Sequence, residues 1–404
     1  MNASLTAHMK TAKRNALILS AAQAVNGSMG PIAISMGAWG GAYLHPQNVA
    51  LATLPVAAYS VGIALFAFPV GMITKALGRR NGFILGSLMG VIGAILAAYA
   101  LGTKSFFLFG LGFACLGAAS AFVQQYRFAA ADHGSDHFKS KAISWVLTGG
   151  VFAAILGPQI ALRTKDMLSP TPYAGAFIAL AALLIVGIAI LATLTPLRDH
   201  PDDKPAIPAK SRPLWTIVKQ PKFIVALLCA ISSYGLMTFM MTGATLAMTN
   251  HGHSQDHAVM GIQWHVLAMF APSYFTGLLL VRFGKLAVIS AGLLLLIACS
   301  ATALAGVELW NFWGSLILLG LGWNFGFIGA TALLGETYFE SEKNKVQGLH
   351  DCILFSFVTT ASLMSGAVLH LFGWTTIALI LLPISLISLL SLIFLRLYEN
   401  RISS

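Results

Sequence analysis

About twelve apolar stretches of roughly twenty residues run through this chain, each long enough at 1.5 Å per residue to cross about 30 Å of hydrocarbon. They lie near 15–36, 48–70, 82–101, 105–128, 142–163, 173–194, 222–248, 257–280, 286–305, 311–335, 346–369 and 374–396. Lipid offers the backbone no hydrogen-bond partners, so a spanning segment must be a helix or part of a closed barrel. Continuous apolarity over this length selects the helix. The 404 residues are 57% hydrophobic and only 9% charged, with a mean hydropathy of +0.80, which excludes an ordinary soluble protein. The fold expected is an all-α membrane protein with twelve transmembrane helices.

Charge orients those helices. With the N-terminus inside, 21 of the 24 Lys and Arg residues fall on the cytoplasmic side, leaving Lys104, Arg163 and Lys165 outside. That asymmetry is a strong positive-inside pattern. It places both termini in the cytoplasm and the protein in the inner membrane of a bacterium. The net charge of +11 is therefore topological. No basic face interleaved with aromatics suggests nucleic acid. Ala22-Gln23-Ala24 resembles a cleavage site, but only about eight apolar residues precede it and the apolar run continues beyond, so the first helix reads as retained.

A polar segment rich in Pro, Asp and Lys interrupts the pattern once. It divides the chain into a six-helix bundle over 1–194, a cytoplasmic linker over 195–221 and a second six-helix bundle over 222–404. The halves echo each other. The run from Gly71 to Gly78 and Arg79 follows the second apolar stretch, and Gly277 to Gly284 and Lys285 follows the eighth, 206 residues later. A Gly-Leu-Gly ending at Gly112 recurs ending at Gly322. Two sets of six helices related by a repeat are the organisation of a secondary transporter, with its site near the midplane between them.

Two pairs of soft ligands stand out in the second half: Met237 with Met241, and His265 with Met269. Each has i, i+4 spacing, so its members share a helix face. If the chain reverses near His253, Met241 and His265 lie twelve residues from the reversal, and Met237 and Met269 sixteen. Thioether and imidazole suit a soft ion, Cu(I) above all. Met241 with His265 would form the outer step and Met237 with Met269 the inner one. Packing is the plain alternative for the methionines. A histidine at membrane depth is costly unless it faces a cavity or a partner, yet a single one serves an organic molecule equally well. His251, His253 and His257 in the intervening turn, and Cys229 two helical steps below Met237, are possible accessory ligands. A merely His-rich turn and a packed cysteine fit the same residues.

Gly71 to Arg80 resembles the loop signature of the major facilitator superfamily, with Gly71, Gly78, Arg79 and Arg80 as a cytoplasmic gate loop. Lys75 and Ala76 stand where that family usually has Asp and Arg. Gly149, Gly150, Gly157 and Pro158 resemble a further family signature typical of antiporters. Within the superfamily, the Met and His pairs resemble those of CcoA-like bacterial copper importers. That resemblance implies copper as the transported substrate, supplied to haem-copper oxidase assembly, with cytoplasmic copper acceptor proteins as partners. Gln125 to Asp132 and Gln263 to Ser273 resemble a wider branch that includes riboflavin importers lacking the metal pairs.

No H-E-x-x-H, G-x-S-x-G or P-loop is present, so neither an intramembrane enzyme nor an ATP-driven pump is indicated. Cys115, Cys229, Cys299 and Cys352 show no metal or disulfide spacing. Carboxylates near helix ends are few, chiefly Asp132, Glu336 and Asp351, and none marks a midplane proton relay. The expectation is a monomeric importer of copper that works in the lipid bilayer by alternating access and holds no permanent cofactor. The alternatives are transport of a small organic molecule such as riboflavin, with the methionines as cavity lining, and a receptor or scaffold without flux.

Overall fold

The computed structural model describes residues 3–131, 136–195 and 212–403. Asp132 and residues 196–211 of the linker lie outside that set. The described residues form helices and no strand. In the first half these are α1 (Ala3–Asn26), α2 (Met29–Leu44), α3 (Leu54–Ala67), α4 (Pro69–Gly102), α5 (Phe106–Gln124), α6 (Tyr126–Ala130), α7 (Asp136–Thr164) and α8 (Ala174–Ala192). A five-residue α9 (Leu214–Val218) precedes α10 (Pro221–Asn250), α11 (Gln255–Phe270), α12 (Ser273–Phe283), α13 (Lys285–Leu304), α14 (Leu309–Leu334) and α15 (Lys343–Ser403).

Among the described residues, nine helical stretches are long and apolar enough to cross a membrane, ten if α11 and α12, bent by 42°, count as one. The protein is thus a multi-pass membrane protein. Twelve separate helices do not appear, because single glycines replace loops at two expected boundaries. Gly78 breaks α4 with φ 78° and ψ 157°, and Gly373 breaks α15 with φ 78° and ψ 178°. Gly284, between α12 and α13, has φ 82° and ψ 160°. That backbone region is open essentially to glycine alone. Gly78 and Gly284 are the 206-residue repeat positions, so the repeat carries one bend geometry, each followed by a basic residue. Gly112 and Gly322 are likewise equivalent. Gly112 abuts the α4 backbone at Gly93 and Ala97, and Gly322 abuts α13 at Gly292 and Leu296. The small residues let paired helices approach closely.

Polar residues inside each half are used to fix it. Asn26 is fully buried and donates to Ser87 Oγ at 3.0 Å and Tyr126 Oη at 2.8 Å, joining α1, α4 and α6. Pro272 bends the α11–α12 pair by removing a helical donor, and Asn324 of α14 repairs the gap. It donates to Met269 O and Ser273 Oγ, both at 2.6 Å, and accepts from Thr276 Oγ1 at 2.6 Å. The glycines of α7 serve close packing. A methyl at Gly149 would run into the Ser20 carbonyl of α1, and one at Gly150 would meet the Phe270 ring of α11 at 3.1 Å.

Candidate functional site

The halves meet differently at the two ends of the molecule. At the end holding the α10–α11 turn, Lys165 pairs with Asp256 at 3.6 Å, Gln255 donates to Tyr173 Oη at 2.8 Å and Gln159 donates to Gln263 Oε1 at 2.8 Å. Within the first half, Trp39 of α2 stacks on Tyr173, with centroids 6.2 Å apart, behind the hydroxyl that Gln255 reaches. A methyl at Gly366 of α15 would strike Thr53 Oγ1 just ahead of α3. These contacts close that end.

At the opposite end, a charge cluster lies within the second half. Glu336 joins Lys222 at 2.8 Å and also Lys285, while Lys222 reaches Glu399 at 2.9 Å. These residues, with Leu280, Gly284, Leu286 and Leu333, line a cavity of about 270 Å³. Burial works against the Glu336 charge, but hydrogen bonds from the two lysines outweigh it and its pKa is lowered. Arg212 forks onto the covered Glu342 carboxylate, with Nη2 at 2.7 Å and Nε at 3.0 Å, and lies over the Phe339 ring at 4.4 Å. The Arg212 hydrogen bonds hold the Glu342 carboxyl down to about 2.

Between the ends, both halves present aromatic and polar side chains to their shared interface. Tyr234 of α10 packs edge-on against Trp323 (5.6 Å), Phe327 (5.2 Å) and Phe355 (5.8 Å). Trp323 stacks with Phe327 at 5.3 Å, interplanar angle 22°, and meets Phe270 at 6.3 Å. Phe270 reaches Gly150 of α7 across the interface. From the first half come Tyr59, bonded to Ser120 Oγ at 2.6 Å, and Arg127 of α6, whose charge is favoured by Asp351 of the second half. The arrangement is an apolar, π-rich wall facing a few hydrogen-bonding groups, the pattern of a site for a small organic molecule.

The expected soft-ligand residues occupy other surroundings. Met237, Met241, His265 and Met269 are all buried, and the turn between α10 and α11 spans His251 to Ser254 as the spacing requires. The two helices nevertheless share α14 as their neighbour and pack little against each other. His265 bonds Leu316 O of α14 through Nδ1 at 2.8 Å, and a methyl at Gly320 would strike the His265 carbonyl. Its imidazole thus works at the α11–α14 seam. The loop histidines diverge: His251 Nδ1 bonds Ala247 O at 2.7 Å, His253 Nε2 bonds Val307 O at 2.8 Å, and His257 lies edge-on to Trp313. Cys229 is buried. Among the described residues no group of three or more His, Cys, Asp or Glu forms a metal site. Arg79 and Arg80 flank the Gly78 break, Arg79 half-buried and Arg80 exposed, and Gly71 is unobstructed.

Arg127 enters the sequence reading as a cytoplasmic charge and as part of the Gln125 to Asp132 resemblance, while Tyr234 and Trp323 go unremarked. The available signal is weak: an arginine just inside an apolar stretch, and a Trp and a Phe four residues apart on one helix face.

Comparison with known proteins narrows the reading. The Major Facilitator Superfamily model matches residues 15–271. The riboflavin transporter RfnT of Brucella anthropi is 44% identical over 95% of this chain and 96% of its own length. YdeG of Bacillus subtilis, an uncharacterized MFS-type transporter, is 29% identical over 91% of this chain and 88% of its own. The solved nucleoside transporter NupG, in a mutant form, superposes with a TM-score of 0.70 at 14% identity, covering 95% of this chain and 99% of that one. At that identity it speaks for the fold. The expectation of copper import is overturned by this set: a relative aligned almost end to end carries riboflavin, and nothing supports the copper branch. The roles in oxidase assembly and with copper acceptors fall with it. Methionine and histidine at i, i+4 spacing mark a shared helix face; here the three methionines are buried, and His265 keeps Nε2 buried without a hydrogen-bond partner.

Proposed function

The chain belongs to the major facilitator superfamily, and from that premise we propose that it imports riboflavin or a close flavin relative. The observation that carries this is the 44% identity to a riboflavin transporter over 95% of the chain. The site chemistry supports it. Tyr234, Trp323, Phe327 and Phe355 offer π faces for a flat tricyclic ring, and stacked or edge-on aromatic contacts favour such a ligand.

The transport cycle is alternating access between two six-helix bundles. Splitting α4 at Gly78 and α15 at Gly373, and joining α3 to the first segment of α4, turns the ten apolar spans into twelve crossings. The positive-inside pattern then puts both termini and the Lys222–Glu336 cluster in the cytoplasm of a cell whose inner membrane holds the protein. In that orientation the closed end is external, so this state faces inward.

Purified full-length protein in liposomes tests the reading. Saturable uptake of labelled riboflavin, unaffected by added copper, is expected. Absence of flavin uptake in vesicles of either orientation would overturn it.

A further inference from the structure

Two buried donors at the interface have no partner. Arg127 Nε and Trp323 Nε1 are both enclosed and unbonded, although buried N–H groups are almost always satisfied and leaving one unmade is costly. Arg127 comes from the first half and Trp323 from the second; the indole packs against Tyr234, and Arg127 lies within electrostatic range of the same residue. The Arg127 guanidinium lies 4.7 Å over the Phe128 ring, and Asp351 attracts it without forming an ion pair. Tyr126, the residue before it, is locked by Asn26 and by the Phe83 ring at 4.8 Å. Trp323 is held between Phe327 and Phe270. A phenylalanine could fill the same space without an orphaned donor. Both groups can only donate, so their missing partner is an acceptor.

We propose, resting on the flavin reading, that Arg127 and Trp323 together bind the carbonyl edge of a planar heteroaromatic substrate whose ring lies against the wall around Tyr234. A guanidinium is planar and suits two adjacent acceptors on one edge, and a flavin ring carries two carbonyl oxygens with ring nitrogens between and beside them. One donor from each half also gives binding a mechanical consequence. A ligand held by both favours the state in which the halves approach at the open end, and only such differential affinity shifts a two-state equilibrium. The ribityl chain would then contribute less to recognition than the ring.

The test measures binding to the purified full-length protein by quenching of ligand or tryptophan fluorescence. Arg127→Lys keeps the charge but loses the fork, and Trp323→Phe keeps the packing but loses the N–H. Each is expected to weaken riboflavin and lumiflavin alike by about tenfold, the scale of one lost hydrogen bond to a buried group. Trp310→Phe, at an exposed indole near the closed end, serves as the unchanged control. On the wild-type protein, phenazine, a flat tricycle without carbonyls, should bind at least about tenfold more weakly than lumiflavin, and ribitol should not compete. Wild-type affinity in both variants, or phenazine binding as well as lumiflavin, would overturn the inference while leaving flavin transport standing. A wild-type protein that binds no flavin would remove both readings. The phenazine comparison needs no variant, so a folding failure in either substitution leaves the question decidable.

Discussion

The closed end and the open end of this molecule use charge in opposite ways. At the closed end, contacts such as Lys165–Asp256 and Gln159–Gln263 cross from one half to the other. They are few, neutral or partly solvated, and individually weak. At the open end, Lys222, Glu336, Lys285 and Glu399 form a cluster inside the second half, and Arg212 pins the end of the linker onto Glu342 of the same half. The difference matches what each region must do in a rocking cycle. Contacts across the moving seam have to break in every turnover, whereas contacts within a bundle have to keep it rigid.

The largest effect should come from making the breakable seam permanent. In a protein freed of its native cysteines, Cys placed at Gln159 and Gln263 and joined by a short bifunctional crosslinker should abolish riboflavin uptake, and cleaving the linker should restore it. Uptake that survives full crosslinking would mean that this end does not open.

A smaller effect is expected where the contact lies within one half. Glu342→Gln removes the carboxylate that Arg212 grips, so trypsin should cut beside Arg212 on the order of tenfold faster, given the strength of charge-assisted pairs. Labelling at the closed end should stay unchanged. The pH dependence follows from a depressed carboxyl. The clamp is fully present above the ordinary glutamate value and is lost as pH falls toward about 2. Cleavage beside Arg212 should therefore be flat from about pH 6 to 8 in the wild type.

Much of this architecture is legible in the sequence, and the limits are physical. Apolar length and the Lys and Arg asymmetry lead directly to a multi-pass helical protein. The glycine repeat identifies Gly78 and Gly284, whose shared backbone angles only glycine tolerates. Sequence spacing also places the α10–α11 turn. What it cannot supply is the neighbour filling the gap between two helices adjacent in sequence. His265 Nδ1 has a partner, the Leu316 carbonyl on α14, 51 residues away and invisible to i, i+4 arithmetic. Tyr234, Arg127 and Trp323 come from three separate helices, so no local motif could have joined them.

A modest effect is expected at the closed seam from removing Lys165, which reaches Asp256 across the halves and Asp166 beside it. Lys165→Gln should speed labelling of a cysteine placed at Thr53, which is buried here, by about two- to five-fold, since surface ion pairs contribute about 1 kcal/mol or less. Burial opposes the Lys165 charge, but bonds and attraction from Asp166 and Asp256 outweigh it and raise its pKa. The contribution is therefore complete below the ordinary lysine value and lost only as pH rises through the raised one. Thr53 labelling should stay level from about pH 6 to 9 once corrected for reagent chemistry. A marked rise within that window would point to another titrating group at the seam.

The smallest effect should be that of copper on the Met and His residues. A ligand that binds the native state at 100 times its dissociation constant stabilises it by about 2.7 kcal/mol. Saturating riboflavin should accordingly raise the melting temperature measurably. Cu(I) kept reduced should not, because His265 Nδ1 is held by α14 and His251 and His253 bond separate backbone carbonyls. Met237→Leu and Met241→Leu nearly conserve volume, and such swaps in a packed interior usually cost under about 1.5 kcal/mol. Riboflavin uptake by both variants should stay close to wild type. A copper-dependent rise in melting temperature that Met241→Leu erased would show these sulfurs to be ligands after all, and packing would no longer account for their burial.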